Sequence, residues 1–198
     1  MAVTIEDIKR LRELTGVGMT DAKKALEAAV GDFDAALKEM RKKGLTKAEK
    51  RGEREARQGL VGTYNHDGRI GVVVEVNCET DFVARNEIFQ NLVKDVAMHI
   101  AASNPVYVQS SDIPAETREA KKQELLSGDA LNGKPADMAE KIVEGQLGKY
   151  FAEQCLLDQP FIKNPDQTVG EYVTEHNARL GENIVVRRFS RIALGEAA

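Results

Sequence analysis

The sequence predicts an α+β fold in which a small N-terminal three-helix bundle precedes an antiparallel sheet packed with helices. Three observations predict it. About the first forty residues repeat apolar side chains at helical spacing, between capping residues and glycines. From Gly59 the apolar period shortens from about 3.6 to 2. Beyond Cys78, helical and strand-like segments are mixed without a strict βαβ rhythm. At roughly 150 residues per domain, 198 residues make one domain with an appendage. The expected division is 1–44 for the bundle, 45–58 for a charged linker or helix, and 59–198 for the α+β core.

The elements follow in order. Thr4 caps the first helix, with Asp7 at the capping-box position where Glu or Gln is more usual. Ile5, Ile8, Leu11 and Leu14 recur at three-residue steps and predict one apolar face, and Gly16 is placed as its stop. Thr20 is placed to cap a second helix with Ala22, Ala25, Leu26 and Ala29 on one side before Gly31. Asp32 caps a third, with Phe33, Ala36, Leu37 and Met40 inward and Gly44 as the stop. Residues 41–57 hold eight Lys or Arg and three Glu, a net of +5, which leaves −9 on the remainder of a chain of net −4. A stretch so charged, with almost no apolar face, reads as a solvated helix or linker. LVGTYN and IGVVVEVNC read as strands joined by a hairpin turn at His66-Asp67-Gly68. Helices are expected from Asn86 to Ala102, from Ala115 to Leu126, from Ala136 to Gln154 and from Thr168 to His176. VYVQ reads as a short strand after Asn104-Pro105, and ENIVVRRFSRIAL as the closing strand.

Composition narrows the function. Hydrophobic residues make up 42% of the chain, enough for a core, whereas aromatics are 5% with no Trp. So few aromatics do not build a stacking surface for single-stranded nucleic acid, and a net charge of −4 is not that of a dedicated duplex binder. The start, MAVTIEDIKRLREL, lacks the order of a signal peptide, and two cysteines 77 positions apart indicate no disulfide framework. A soluble cytoplasmic protein is expected, with no membrane or nucleic-acid partner.

Catalytic motifs fail one at a time. Gly128-Asp-Ala-Leu-Asn-Gly133-Lys134-Pro135 fits the first seven positions of a phosphate-binding loop, but Pro135 stands where a hydroxyl must reach Mg²⁺ and no strand precedes it. Gly16-Val-Gly18 is too short for a dinucleotide fingerprint and reads as a turn. His66, His99 and His176 are far apart, none at zinc-ligand spacing; His99 reads as a partly buried packing residue. Cys78, at the end of an apolar strand, reads as a small buried residue; a nucleophile would need a base beside it. No cofactor, no metal and no enzymatic activity are expected. The basic stretch 41–57 could touch phosphate, which keeps an RNA-binding accessory role as the alternative.

One segment resists these plain readings: Cys78-Glu-Thr80-Asp81-Phe82-Val83-Ala-Arg-Asn86, between a strand and a helix. Thr80 or Asp81 is placed to cap that helix. Phe82 and Val83 then either fold beneath it, as Phe usually does, or form an apolar knob beside a carboxylate, suited to wedging into a partner protein.

The chain resembles the elongation factor Ts family nearly end to end. The resemblance runs through LRELTGVGMTDAKKAL (Leu11–Leu26), EVNCETDFVARNE (Glu75–Glu87), AMHIAAS (Ala97–Ser103), KIVEGQLGKY (Lys141–Tyr150), QPFIKNP (Gln159–Pro165) and TVGEYVTEHNA (Thr168–Ala178), in order. It implies a UBA-like N-terminal bundle and a guanine nucleotide exchange factor for elongation factor Tu, which binds that partner both GDP-bound and nucleotide-free. It further implies that Thr80, Asp81, Phe82 and Val83 insert between two helices of the partner's nucleotide domain and disturb its Mg²⁺ and phosphate site. Arg12, Gly18 and Met19 fall at positions where the family's N-terminal domain also contacts the partner, although Met19 serves equally as a helix-start packing residue. Thr20 stands where many members have a second Met. Longer members carry two related sheet-and-helix units where this chain has one. It therefore resembles the short form, for which a homodimer and a 2:2 complex are expected, with 59–198 also the dimerisation domain.

Overall fold

A computed structural model of the chain describes residues 3–15, 18–40, 51–127 and 136–196. The expectations for Gly16, Gly44, the stretch 41–50 and the loop 128–135, which holds the phosphate-loop lookalike, lie outside the described residues.

Helices α1 (Ile5–Thr15), α2 (Met19–Ala28) and α3 (33–40) pack around Ile8, Leu11, Ala22, Ala25, Leu26, Ala36 and Met40. Thr4 caps α1 by accepting the Asp7 N–H at 3.1 Å, and Asp32 caps α3 by accepting the Ala35 N–H at 3.0 Å. Two expectations fail here. Gly18, not Thr20, stands at the N-cap of α2, and no side chain caps that end. The predicted face of α1 is only half buried: Ile8 and Leu11 go inside, but Ile5 is 69% and Leu14 52% exposed. A three-residue step falls about 60° short of a full turn at 3.6 residues per turn. Three such steps carry Leu14 to the side of the helix opposite Ile5, so only the middle of the series faces one way.

Strands β1 (Gln58–His66) and β2 (Ile70–Cys78) form the predicted hairpin, with Asp67 and Gly68 both at positive φ in the turn. A short helix, α4 (Asp81–Ala84), precedes α5 (Glu87–Ser103). Next come α6 (Ala115–Leu126) and α7 (Ala136–Ala152). A two-stranded ribbon, β3 (Pro160–Phe161) with β4 (Asn164–Thr168), leads into α8 (Val169–Leu180). Strand β5 (Val185–Ala193) pairs antiparallel with β2 and completes a sheet of order β1-β2-β5.

VYVQ is not a strand: Tyr107 makes one isolated bridge to Cys155, because the segment 154–157 that bonds to it turns at once into a single 3-10 turn, Leu156–Asp158. The β3–β4 ribbon was not foreseen, because strands of two and five residues are too short to show a period. Helix α8 runs to Leu180, past the expected His176, and ends at Gly181, whose φ of 78° closes it.

One face of the sheet buries Val72, Val74, Val76 and Val186 against Phe89, Leu92, Val93, Val96 and Ile100 of α5. Gly62 lets β1 approach α5 closely; a Cβ there would collide with Cγ1 of Val93. The other face stays open. Thr63, Val73 and Ser190 stand side by side across its three strands, with Val61 and Ile192 also exposed and a Glu75–Arg188 ion pair of 2.7 Å near one corner. A smaller cluster of Ile113, Val143, Leu147, Phe151 and Cys155 joins α7 to the 107–113 segment. Among the described residues no helix is long and apolar enough to cross a membrane.

Candidate functional site

The Thr80–Val83 segment sits at the end of β2, the central strand. Cys78 closes that strand fully buried and donates its thiol hydrogen to the Thr80 carbonyl at 3.1 Å. Burial first, then the nearby Glu182 carboxylate, push the thiol up to about 11. It is therefore protonated at neutral pH and no nucleophile. Two residues later the chain turns into α4. Neither Thr80 nor Asp81 caps α5 as expected; Thr80 caps the extra turn α4 instead, its Oγ1 accepting the Val83 N–H at 3.4 Å. Asn86 then caps α5 by accepting the Ile88 N–H at 2.8 Å. Two caps six positions apart allow only a single turn of helix between them.

That turn decides the alternative over Phe82. Successive helical side chains point about 100° apart. The turn that buries Ala84 and packs half-buried Val83 onto the main core throws Phe82 outward, 82% exposed. Asp81 is exposed beside it and pairs with Arg85 at 3.1 Å. An exposed i,i+4 pair contributes no more than about 0.5 kcal/mol, so a partner can replace it readily. Withdrawing an exposed Phe from water is worth roughly 1.5–3 kcal/mol. Phe82 and Asp81 present an apolar knob with a carboxylate at its base, while Thr80 caps the turn and Val83 packs inward.

The ground beneath the knob comes from the turn that follows α8 and from the segment 51–57 that leads into β1. Glu182 Oε2 accepts the N–H groups of both Glu79 and Thr80, each at 3.0 Å, and its Oε1 accepts the Thr80 hydroxyl. The Glu79 carboxylate accepts the Asn183 N–H at 2.7 Å and faces Arg54 at 3.6 Å. The buried Asn183 side chain donates to the Arg54 carbonyl at 2.7 Å. Nothing in the sequence singled out Glu182 or Asn183. Their partners lie about a hundred residues away, and a Glu-Asn pair after a helix-ending Gly reads as an ordinary polar turn.

Arg12 is exposed in the last turn of α1, and Gly18 and Met19 open α2; Met19 is exposed. All three flank the α1–α2 connection, and exposed Leu14 joins them. They stand on the N-terminal cluster, whereas Val83 packs on the main core. His99 is wholly buried, deeper than its expected partly buried place, with Nε2 at 2.9 Å from Gln159 Oε1 and Nδ1 accepting the Ile162 N–H at 3.3 Å. Among the described residues no group of three or more His, Cys, Asp or Glu converges as a metal site requires.

The pattern of the family described as Elongation factor TS matches residues 2–196. The chain is 53% identical over 196 residues to Elongation factor Ts of Thermodesulfovibrio yellowstonii, covering 99% of this chain and 98% of that protein. It is 54% identical over 196 residues to Elongation factor Ts of Carboxydothermus hydrogenoformans, covering 98% and 90%. Against Elongation factor Ts of Geobacter sulfurreducens it is 50% identical over 197 residues, covering 99% and 91%. With the family pattern spanning nearly the whole chain and relatives at about half identity, this chain belongs to the elongation factor Ts family.

Proposed function

We propose that the protein is a non-enzymatic guanine nucleotide exchange factor for elongation factor Tu, acting in the cytoplasm. The observation that carries this reading is Phe82, an exposed aromatic at the tip of a braced turn, in a chain of this family. Thr80, Asp81, Phe82 and Val83 form the knob that enters the partner's nucleotide domain. Mg²⁺ holds nucleotide through a near-ideal octahedron that tolerates little distortion. A small displacement of its surroundings therefore loosens both ion and phosphates. Coupling is reciprocal: a factor that binds the empty partner best lowers nucleotide affinity by the same ratio. No bond is broken, so no base, nucleophile or cofactor is called for. Arg12, Gly18 and Met19 supply a second contact from the bundle 1–44, tethered through 45–58 to the core 59–198. Release of fluorescent GDP from elongation factor Tu should accelerate when the protein is added; an unchanged rate overturns the reading.

The working form in this reading is a homodimer in a 2:2 complex. The open sheet face supports it: Val61, Val73 and Ile192 stand beside the small side chains Thr63 and Ser190, and an exposed, partly apolar sheet face of this kind can pack on its own copy across a two-fold axis. Light scattering at micromolar concentration should give twice the 21.8 kDa of the chain, and a value near 21.8 kDa overturns the dimer.

A further inference from the structure

The direction of Phe82 is set from outside its own turn. A helix of four residues has no stability of its own, because nucleation is unfavourable and too few bonds follow to offset it. Two N–H groups that precede it, those of Glu79 and Thr80, converge on one oxygen of Glu182. The second oxygen takes the Thr80 hydroxyl, and the hydroxyl oxygen in turn accepts the N–H of Val83. A continuous chain of hydrogen bonds thus runs from the Glu182 carboxylate into the residue after Phe82. Bonds to an ionised acceptor are the stronger kind.

Glu182 is itself held in place. The Gly181 N–H donates to the Asn177 carbonyl at 3.0 Å and closes α8. The next residue, Asn183, returns its N–H to the Glu79 carboxylate, so the two turns exchange bonds in both directions. Asn183 also takes hold of the chain arriving from the bundle, through the Arg54 carbonyl. One turn, 181–183, therefore fixes both the knob and the end of the tether that carries the second contact.

We infer that Glu182 is a positioning residue of the exchange site, aiming Phe82 through Thr80 without touching the partner itself. The inference rests on Phe82 being the exchange wedge. Without an acceptor held at this place, the N–H groups of Glu79 and Thr80 turn to water, and the knob samples directions that do not fit the partner.

The test is GDP release from elongation factor Tu as a function of factor concentration, for Glu182→Gln, Glu182→Asp and Phe82→Ala, and for Glu182→Asp combined with Phe82→Ala. A Gln amide keeps the geometry: its oxygen accepts both N–H groups and its nitrogen donates to the Thr80 hydroxyl. Glu182→Gln should hold the maximal rate within about threefold of the parent, while Glu182→Asp, one methylene short of reach, should lower it about tenfold. A residue acting only by negative charge gives the opposite order, Asp intact and Gln impaired, and that order overturns the inference. In the Phe82→Ala background Glu182→Asp should add little further loss, because there is no longer a ring to aim. A full, additive loss there assigns Glu182 a merely structural role and overturns the inference. A parental rate for Phe82→Ala overturns the exchange reading and this inference with it. A normal loss for Phe82→Ala beside a parental rate for Glu182→Asp overturns this inference alone.

Discussion

The two regions proposed to meet the partner are built in opposite ways. The Phe82 knob hangs from the central strand of a sheet whose core holds Phe89, Leu92, Ile100 and a row of valines, and polar bonds from 182 and 183 brace it. The α1–α2 connection, with Arg12, Gly18 and Met19, stands on a small cluster in which three of seven buried residues are alanines. Its second helix opens with no side-chain cap. Less buried area means a lower free energy for local opening. The contrast fits a division of labour: a knob held in advance to displace groups in the partner, and a pliable grip, with an adaptable Met, that adds affinity.

The largest expected effect separates the two by stability. Phe89→Ala should cost about 3–5 kcal/mol and Leu26→Ala about 2–5 kcal/mol, read by denaturant titration. All four tyrosines, Tyr64, Tyr107, Tyr150 and Tyr172, lie outside the bundle. Tyrosine fluorescence should therefore move its midpoint for Phe89→Ala and hold still for Leu26→Ala, with the bundle's loss visible only in far-UV circular dichroism. Coincident shifts in both signals would make the two regions one cooperative unit.

Function comes next. Phe82→Ala should lower the maximal rate of stimulated GDP release by roughly 10- to 100-fold, the rate equivalent of about 1.5–3 kcal/mol of apolar burial. An equal loss from Met19→Ala would abolish the distinction between displacing and gripping.

Acid should weaken the core before the bundle. Burial holds His99 and His176 below the ordinary 6.5, and the bundle has no histidine. The unfolded chain takes up protons near 6.5 that the folded chain refuses. Stability is thus complete above that pH and falls as pH drops from there toward the folded-state values. His99, the wholly buried one, accounts for at most about 1.4 kcal/mol per pH unit. Melting followed by tyrosine fluorescence should decline from pH 7.5 to 5.5, and His99→Gln should flatten the decline. A profile unchanged by His99→Gln would place the acid sensitivity elsewhere.

The smallest effect sharpens the grip. Met19→Ala should raise the half-saturating concentration of the factor roughly two- to fivefold, as for a peripheral contact, and leave the maximal rate alone. A fall in the maximal rate instead would give the bundle a share in displacement.

Much of this was legible in the sequence where the signal is local. Thr4 and Asp32 cap the helices they precede, Asp67-Gly68 makes the hairpin, and α6 keeps its expected bounds. Periodicity misled where its step was wrong, at Ile5 and Leu14, and where the neighbouring segment turns after one bridge, at Val106–Gln109. For Phe82, periodicity and the usual burial of Phe pointed inward; the family resemblance pointed outward, and the spacing of Thr80 from Asn86 held the physical reason all along. Glu182 was invisible because its role depends on two turns meeting in space, which no local pattern records.

The place of the knob at the end of β2 has a consequence in the mechanics of the complex. β2 is bonded on both edges, to β1 and to β5, along its length. Antiparallel hydrogen bonds lie across the strand direction. A thrust on Phe82 along the axis of β2 loads both ladders in shear, all bonds sharing the force, rather than peeling them one after another. In the proposed complex the sheet would act as a strut, passing the reaction to an inserted ring into the whole core instead of into the knob alone.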